Sequence, residues 1–247
     1  MDLKNKVAVV TGASGGIGCA IAQRLAEAGA HVIVGYNTKS AEAEKIAAAL
    51  PGAGHRAIRI PVLDSAAIRD VAVTVERDFG RCDVLVNSAG FTRMIPHADL
   101  EALTDDLIDS IFAANVRGPF AMVRAFAPLM KKSGDAVIVN ISSIASITGT
   151  GSNIAYGGSK AAMDTMSLSL ARVLGPEIRV MTVSPAAVDT PFVPGRTTAM
   201  VERVAATTPL KRVVTPDEVA QAAMAAITHL TSTTGWVIPV DGGKLVG

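Results

Sequence analysis

The sequence predicts an α/β protein: one domain built on a doubly wound parallel sheet of about seven strands, with helices on both faces. Three observations carry this. Short β-branched runs alternate with helical patterns from end to end, which is the order that parallel strands joined by helical crossovers require. The first such run leads straight into a glycine-rich turn and a helix. Of the 247 residues, 49% are hydrophobic but only 4% aromatic, a balance that suits buried Val/Ile strands under Ala-rich helices.

The elements follow in order. Residues 7–11 form an unbroken apolar strand, and a helix over 17–28 follows the turn and closes at Gly29. A strand at 31–36 leads to a helix at 41–50, and a strand at 57–62 to a helix at 66–79. Asp64 stands where the latter needs an N-cap, and Gly80 where it needs to stop. A strand at 84–87 precedes a long helix at 105–131, ended by Gly134. Strands at 136–141, 179–184 and 237–240 are separated by helices at 156–174 and 216–229. No linker or repeat divides residues 1–247, so one domain is expected. Residues 188–208 break the rhythm with Pro191, Pro194 and Gly195, and are expected to be an irregular loop over a substrate.

Composition narrows the function classes. A net charge of +1 without runs of one sign gives no reason to expect nucleic acid or an anionic membrane as partner. Cys19 and Cys82 lie far apart and outside CxxC spacing, so both are expected to be reduced thiols without a catalytic role. His31, His55, His97 and His229 form no ligand spacing, and no metal is expected. No apolar run has membrane-spanning length and the first residues lack a signal-peptide profile; a soluble cytoplasmic protein is the expectation.

The turn Thr11-Gly12-Ala13-Ser14-Gly15-Gly16-Ile17-Gly18, between strand and helix, suits a dinucleotide. Glycines let the backbone approach a pyrophosphate, whose charge then sits at a helix N-terminus. An acidic residue about 20 positions on would hold the ribose hydroxyls of NAD. Here Tyr36-Asn37-Thr38-Lys39-Ser40 follows instead, and the first acid is Glu42. Nothing there repels a 2′-phosphate, and Lys39 with its polar neighbours could bind one, although Lys39 also reads as a solvated loop charge. NADP(H) is therefore expected ahead of NAD(H).

Further on, Tyr156 and Lys160 lie four apart in a helix, and so on one face, thirteen residues after Ser143. A phenol beside an ammonium can serve as proton donor and acceptor. With these residues in view, the chain resembles the short-chain dehydrogenase/reductase family along essentially its whole length, which makes the fold Rossmann-type. The carriers are Thr11-Gly-x-x-x-Gly-x-Gly18, Asn87-Ser88-Ala89-Gly90 (with Ser for the family's second Asn), Asn115, Ser143, Tyr156, Lys160 and Val240-Asp241-Gly242-Gly243.

The resemblance implies a catalytic set of Asn115, Ser143, Tyr156 and Lys160. Tyr156 would give the proton when a ketone is reduced and remove it in the reverse direction. Its phenolate would be favoured by Lys160 and by an oxidised nicotinamide, since a free phenol has a pKa near 10. Ser143 would polarise the carbonyl, Lys160 would also bind the nicotinamide ribose, and Asn115 would anchor a water relay. The implied cofactor contacts are Gly12, Ser14, Gly16, Ile17 and Gly18 in the turn, Tyr36, Asn37, Thr38 and Lys39 after it, then Val62, Asn87, Ala89, Gly90, Tyr156, Lys160, Pro185, Val188 and Thr190. Two departures stand out: Ala186 replaces the Gly of the family's Pro-Gly, and Pro61-Val62 lacks the acid or amide that usually holds adenine.

The pocket is expected between the segment after Gly90, residues 144–151 and residues 188–208, with Phe91, Met94, Ile95, Ile144 and Ile147 making it partly apolar. Arg93 is a candidate for an anionic group, or else a solvated arginine. The chain looks closest to the 3-oxoacyl-thioester reductase-like branch. Three readings follow: an NADPH-dependent carbonyl reductase, perhaps of an acyl thioester; an NAD-dependent dehydrogenase of a secondary alcohol or sugar; or a non-catalytic dinucleotide sensor. The resemblance also implies a homotetramer, through the helices carrying Asn115 and Tyr156 and through the C-terminal strand.

Overall fold

The computed structural model describes residues 1–246. Seven strands, β1 (Val7–Val10), β2 (His31–Tyr36), β3 (Arg56–Arg59), β4 (Val84–Asn87), β5 (Ala136–Ile141), β6 (Ile178–Pro185) and β7 (Trp236–Val240), form one sheet in the order β3-β2-β1-β4-β5-β6-β7. Every pairing is parallel. The helices are α1 (Gly16–Glu27), α2 (Ser40–Ala49), α3 (Ser65–Phe79), α4 (Asp105–Phe112), α5 (Gly118–Ser133), α6 (Ala145–Thr148), α7 (Ile154–Leu174), α8 (Thr198–Ala205) and α9 (Pro216–Thr228).

Alternation along the strands splits the core into two layers. Ala8, Val10, Val34, Val86, Val139 and Val183 face α1 and α9, meeting Ile21, Leu25, Ala223 and Ile227. Val9, Ile33, Leu85, Ile138 and Val180 face α3, α5 and α7, meeting Ile68, Phe126, Met130 and Leu174. Burial on both faces is why β1 is wholly apolar, and β4 and β5 are apolar except at Asn87 and Asn140. At the start of β4, the fully buried Asp83 accepts the Val7 amide (2.9 Å) and two N–H groups of Arg81 (2.7 and 2.6 Å), with the Lys6 ammonium 3.4 Å away. Its carboxylate thus clips β1 to β4. Those two strands flank the point where the winding reverses direction, the place where open α/β sheets bind ligands.

Predicted caps are present: Asp64 accepts from the Ala66 and Ala67 amides, and Gly80 and Gly134 end α3 and α5 in the left-handed region. Four expectations need correction. β3 stops at Arg59, not 62: the Ile60 amide still reaches the Tyr36 carbonyl, but Pro61 has no N–H to continue the ladder. The helix read as 105–131 is two helices joined by a π-helical turn, Ala113–Arg117. Pro119 cannot return a bond to the Asn115 carbonyl, and the Gly118 amide reaches back five residues to Ala113. Residues 188–208 are not wholly irregular, since they contain α8, capped by Thr197 and buried through Val201 and Ala205. The helix read from 156 begins at Ile154, capped by Asn153, and the short α6 precedes it.

Candidate active site

The crevice at the carboxyl ends of the strands begins with the glycine turn. Gly12 and Gly16 adopt φ of 66° and 56°, values that disfavour any side chain. A Cβ on Gly12 would lie 2.9 Å from the Ala89 Cα, so the turn is seated directly on the segment after β4. Thr11 locks that seat: its hydroxyl accepts the Ser88 and Ala89 amides (3.1 and 3.0 Å) and donates to the Val86 carbonyl.

A cavity of about 630 Å³ opens beside the turn. Gly12, Ser14, Gly16, Ile17, Gly18 and Lys39 line it together with Gly90, Ser143, Tyr156, Lys160, Pro185, Val188 and Thr190. Bare glycine backbone and an absence of Asp or Glu among the described lining residues fit an elongated polyanionic ligand such as a nicotinamide dinucleotide. Ala186 lines the cavity with its methyl, and its amide donates to the Val240 carbonyl (3.0 Å).

Other predicted contacts lie outside this cavity. The Tyr36 hydroxyl accepts from Ser40, Asn37 and Thr38 are exposed, and Val62 packs against Gly118. The Asn87 side chain is buried and donates to the Asn140 amide oxygen (2.8 Å), so it braces β4 against β5. Ala89 serves through its backbone, as described. The side chain of Asn115 is wholly engaged: Oδ1 accepts the Phe91 amide (2.8 Å), while Nδ2 donates to the Phe91 carbonyl and to Ser159 (both 3.0 Å). It fixes the strand-end segment that carries Gly90, and the water-relay role has no support from its side chain. Of the expected apolar wall, Met94 and Ile144 line the cavity, whereas Phe91, Ile95 and Ile147 do not, and neither does Arg93, the candidate for an anionic group.

Tyr156 and Lys160 do share one face of α7, both buried. Lys160 Nζ donates to the Ile141 carbonyl (2.8 Å) and lies 5.8 Å from the centre of the phenol ring. Burial dominates and pushes Tyr156 up to about 12, against the opposing pull of the Ser143 hydroxyl and the Arg196 charge. Burial likewise pushes Lys160 down to about 8, opposed by the Asp164 carboxylate one turn along.

Several residues were missed by sequence reading. Asn153 caps α7, accepting the Tyr156 amide (2.7 Å) and donating to the Arg93 carbonyl (2.7 Å) and to Thr92 (3.2 Å). An Asn three residues before a helical Tyr was a legible N-cap signal. Phe192, Arg196 and Met200 come over the cavity from the 188–208 segment, with the Phe192 ring 6.1 Å from that of Tyr156. No local pattern marks them. Arg59, at the end of β3 and in register with Tyr36, donates to the Asn37 carbonyl (3.1 Å) and adds a second cation near Lys39. Among the described residues, no cluster of His, Cys, Asp or Glu could hold a metal ion, and no helix is long and apolar enough to cross a membrane.

Fold and crevice define an α/β oxidoreductase that uses a pyridine nucleotide. Comparison with known proteins makes this specific. A family model described as "Enoyl-(Acyl carrier protein) reductase" matches residues 12–244. The chain is 41% identical over 239 residues, 96% of its length and 95% of the relative's, to a granaticin polyketide synthase putative ketoacyl reductase 2 of Streptomyces violaceoruber. Among solved structures it resembles a putative short-chain dehydrogenase/reductase from Burkholderia xenovorans (TM-score 0.91, 36% identity, covering 98% and 99% of the two chains). Another is a 3-ketoacyl-(acyl-carrier-protein) reductase from Brucella melitensis complexed with NADH (TM-score 0.88, 30% identity, 98% and 99% covered). The chain belongs to the short-chain dehydrogenase/reductase family and is an oxidoreductase acting on carbonyl or alcohol groups.

Proposed function

We propose that the protein is a cytoplasmic NADP(H)-linked carbonyl reductase in which Tyr156 is the general acid and base, with 3-oxoacyl thioesters the first substrate class to test. One observation carries the reading: Ser143, Tyr156 and Lys160 line the same crevice as the glycine turn and Lys39, with no Asp or Glu among the described lining residues. Bound NADPH supplies the hydride. The Ser143 hydroxyl holds the carbonyl oxygen, and Tyr156 gives that oxygen its proton. Lys160 binds the nicotinamide ribose and, when protonated, favours the phenolate left behind. Lys39 and Arg59, with no acid at the end of β2, support a 2′-phosphate. Asn115 positions the Gly90 segment, and residues 188–208 close over the substrate as part of the single unit spanning residues 1–247.

The competing reading is NAD-linked oxidation of a secondary alcohol or sugar; its choice of cofactor, though not its substrate, is favoured by the NADH bound to the Brucella melitensis relative. Nicotinamide absorbance, followed with acetoacetyl-CoA and either NADPH or NADH, decides between them. Fast decay with NADPH, lost in Tyr156→Phe, is the expected result. Turnover with NADH alone overturns the phosphate argument. No turnover with either cofactor removes the thioester and turns the search to alcohols and sugars.

A further inference from the structure

Four cations, Lys39, Lys160, Arg196 and Lys244, line the cavity, with no Asp or Glu among the described lining residues. On the reading above, Lys39 and Lys160 are occupied by the two ends of the cofactor. Arg196 is left over, and its situation is unusual. It is half-buried in the turn before α8 and lines the cavity together with Tyr156, Ile144, Val193 and Met200. Its backbone amide donates to the Val193 carbonyl (3.1 Å), and its Nη2 donates to the Val188 carbonyl (2.5 Å). That carbonyl is its one side-chain partner among the described residues, although a guanidinium carries five N–H donors.

Arg196 forms no ion pair among the described residues. The carboxylate that acts on it, Asp189, is exposed and accepts a hydrogen bond from Thr198. A partly desolvated guanidinium with free donors, held over an apolar cavity, is costly unless an anion completes it. The backbone ties to Val188 and Val193 fix its place, so the planar fork is preorganised for a carboxylate. Lys244, which donates to Thr207 (3.2 Å), adds positive charge to the same cavity.

We propose that Arg196 is the specificity-determining residue of this site, and that the preferred substrate is a ketone carrying a carboxylate a few bonds from the carbonyl. The inference rests on the carbonyl-reductase reading and replaces the 3-oxoacyl thioester with a free oxo acid as the preferred substrate. With the carbonyl at Tyr156 and Ser143, the carboxylate of an oxo acid pairs with Arg196, whereas a neutral ester leaves the guanidinium unpartnered.

The test compares three oxo acids, 3-oxobutanoate, 4-oxopentanoate and 5-oxohexanoate, each against its methyl ester, with NADPH and NADH. For at least one pair, kcat/KM is expected to favour the acid by about tenfold or more, as a charge-assisted bidentate pair should. Arg196→Met should abolish that ratio, and Arg196→Lys should restore part of it. Calorimetric titration of pentanoate against pentanamide supplies a readout independent of turnover, with binding of the carboxylate lost in Arg196→Met. The proposal is overturned if no acid is preferred over its ester, or if the preference survives in Arg196→Met. It is also overturned if that variant raises the KM for the cofactor and leaves the ratio intact, which would place Arg196 on the dinucleotide. The parent reading fails separately: pentanoate binding through Arg196 with no ketone reduced leaves the anion site standing and removes the reductase.

Discussion

Lys160 is held in the protein at a thermodynamic cost, and that cost has a sign that can be measured. Burial pushes its ammonium down to about 8, so between pH 8 and the ordinary lysine range the unfolded chain holds a proton that the folded chain has released. Stability contributed by this residue therefore rises as pH climbs through that window, and below pH 8 the penalty for the buried charge is present in full. Lys160→Met removes the penalty together with the bond to the Ile141 carbonyl. We expect it to stabilise the cofactor-free protein by about 1 kcal/mol at pH 7, with the difference shrinking above pH 8. Urea unfolding of the two proteins at pH 7 and 9 checks this; an unchanged difference would mean that the folded lysine keeps its proton over the whole range, as the unfolded one does. The positions of Tyr156, Lys160, Ser143 and the glycine turn were legible because helical spacing and strand-to-helix order are local properties. Arg196 and Phe192 were not: they reach the cavity because a loop folds over it, which no periodicity records.

The placement of α7 depends on one capping residue. Asn153 is buried, accepts the Tyr156 amide and ties the first turn of α7 to the loop after Gly90 through the Arg93 carbonyl. Asn153→Ala loses the cap and leaves that carbonyl without its amide donor. The expected cost is about 2 kcal/mol in urea denaturation. The same variant should lower kcat more than it changes the KM for cofactor, because the phenol rather than the dinucleotide cradle moves. Equal losses in both would show instead a general loosening of the crevice. The strands followed from apolar runs between turn residues, but two boundaries depended on single prolines. Pro61 ends β3 early, and Pro119 turns one long helix into α4, a π turn and α5. Periodicity gives the length of a helical pattern; a missing N–H decides where it breaks.

At the scale of the whole molecule, acid stability should depend on Asp83. Burial pushes its carboxyl up, yet hydrogen bonds from Arg81 and the Val7 amide, with the charges of Arg81 and Lys6, outweigh burial and hold it below the ordinary range. A depressed carboxyl contributes stability above the unfolded-chain pKa of about 3.9 and loses it as pH falls through the folded value. Asp83→Asn should cost about 3 kcal/mol at pH 7 by leaving Arg81 unpaired, and the gap to wild type should narrow below pH 4. Assembly is the other whole-molecule consequence. β7 is an edge strand with one uncovered side, Trp236 is 67% exposed, and Gly235 packs on Leu168 of α7, itself 43% exposed. An uncharged apolar edge beside an apolar helix face invites pairing unless another copy covers it. We therefore propose a tetramer with β7 at one contact and α4, α5 and α7 at the other, where Phe112 and Phe120 are exposed. Trp236→Lys should then reduce the mass found by light scattering from four chains to two. A monomeric wild type would overturn the tetramer, and an intact tetramer in the variant would move the contact away from β7.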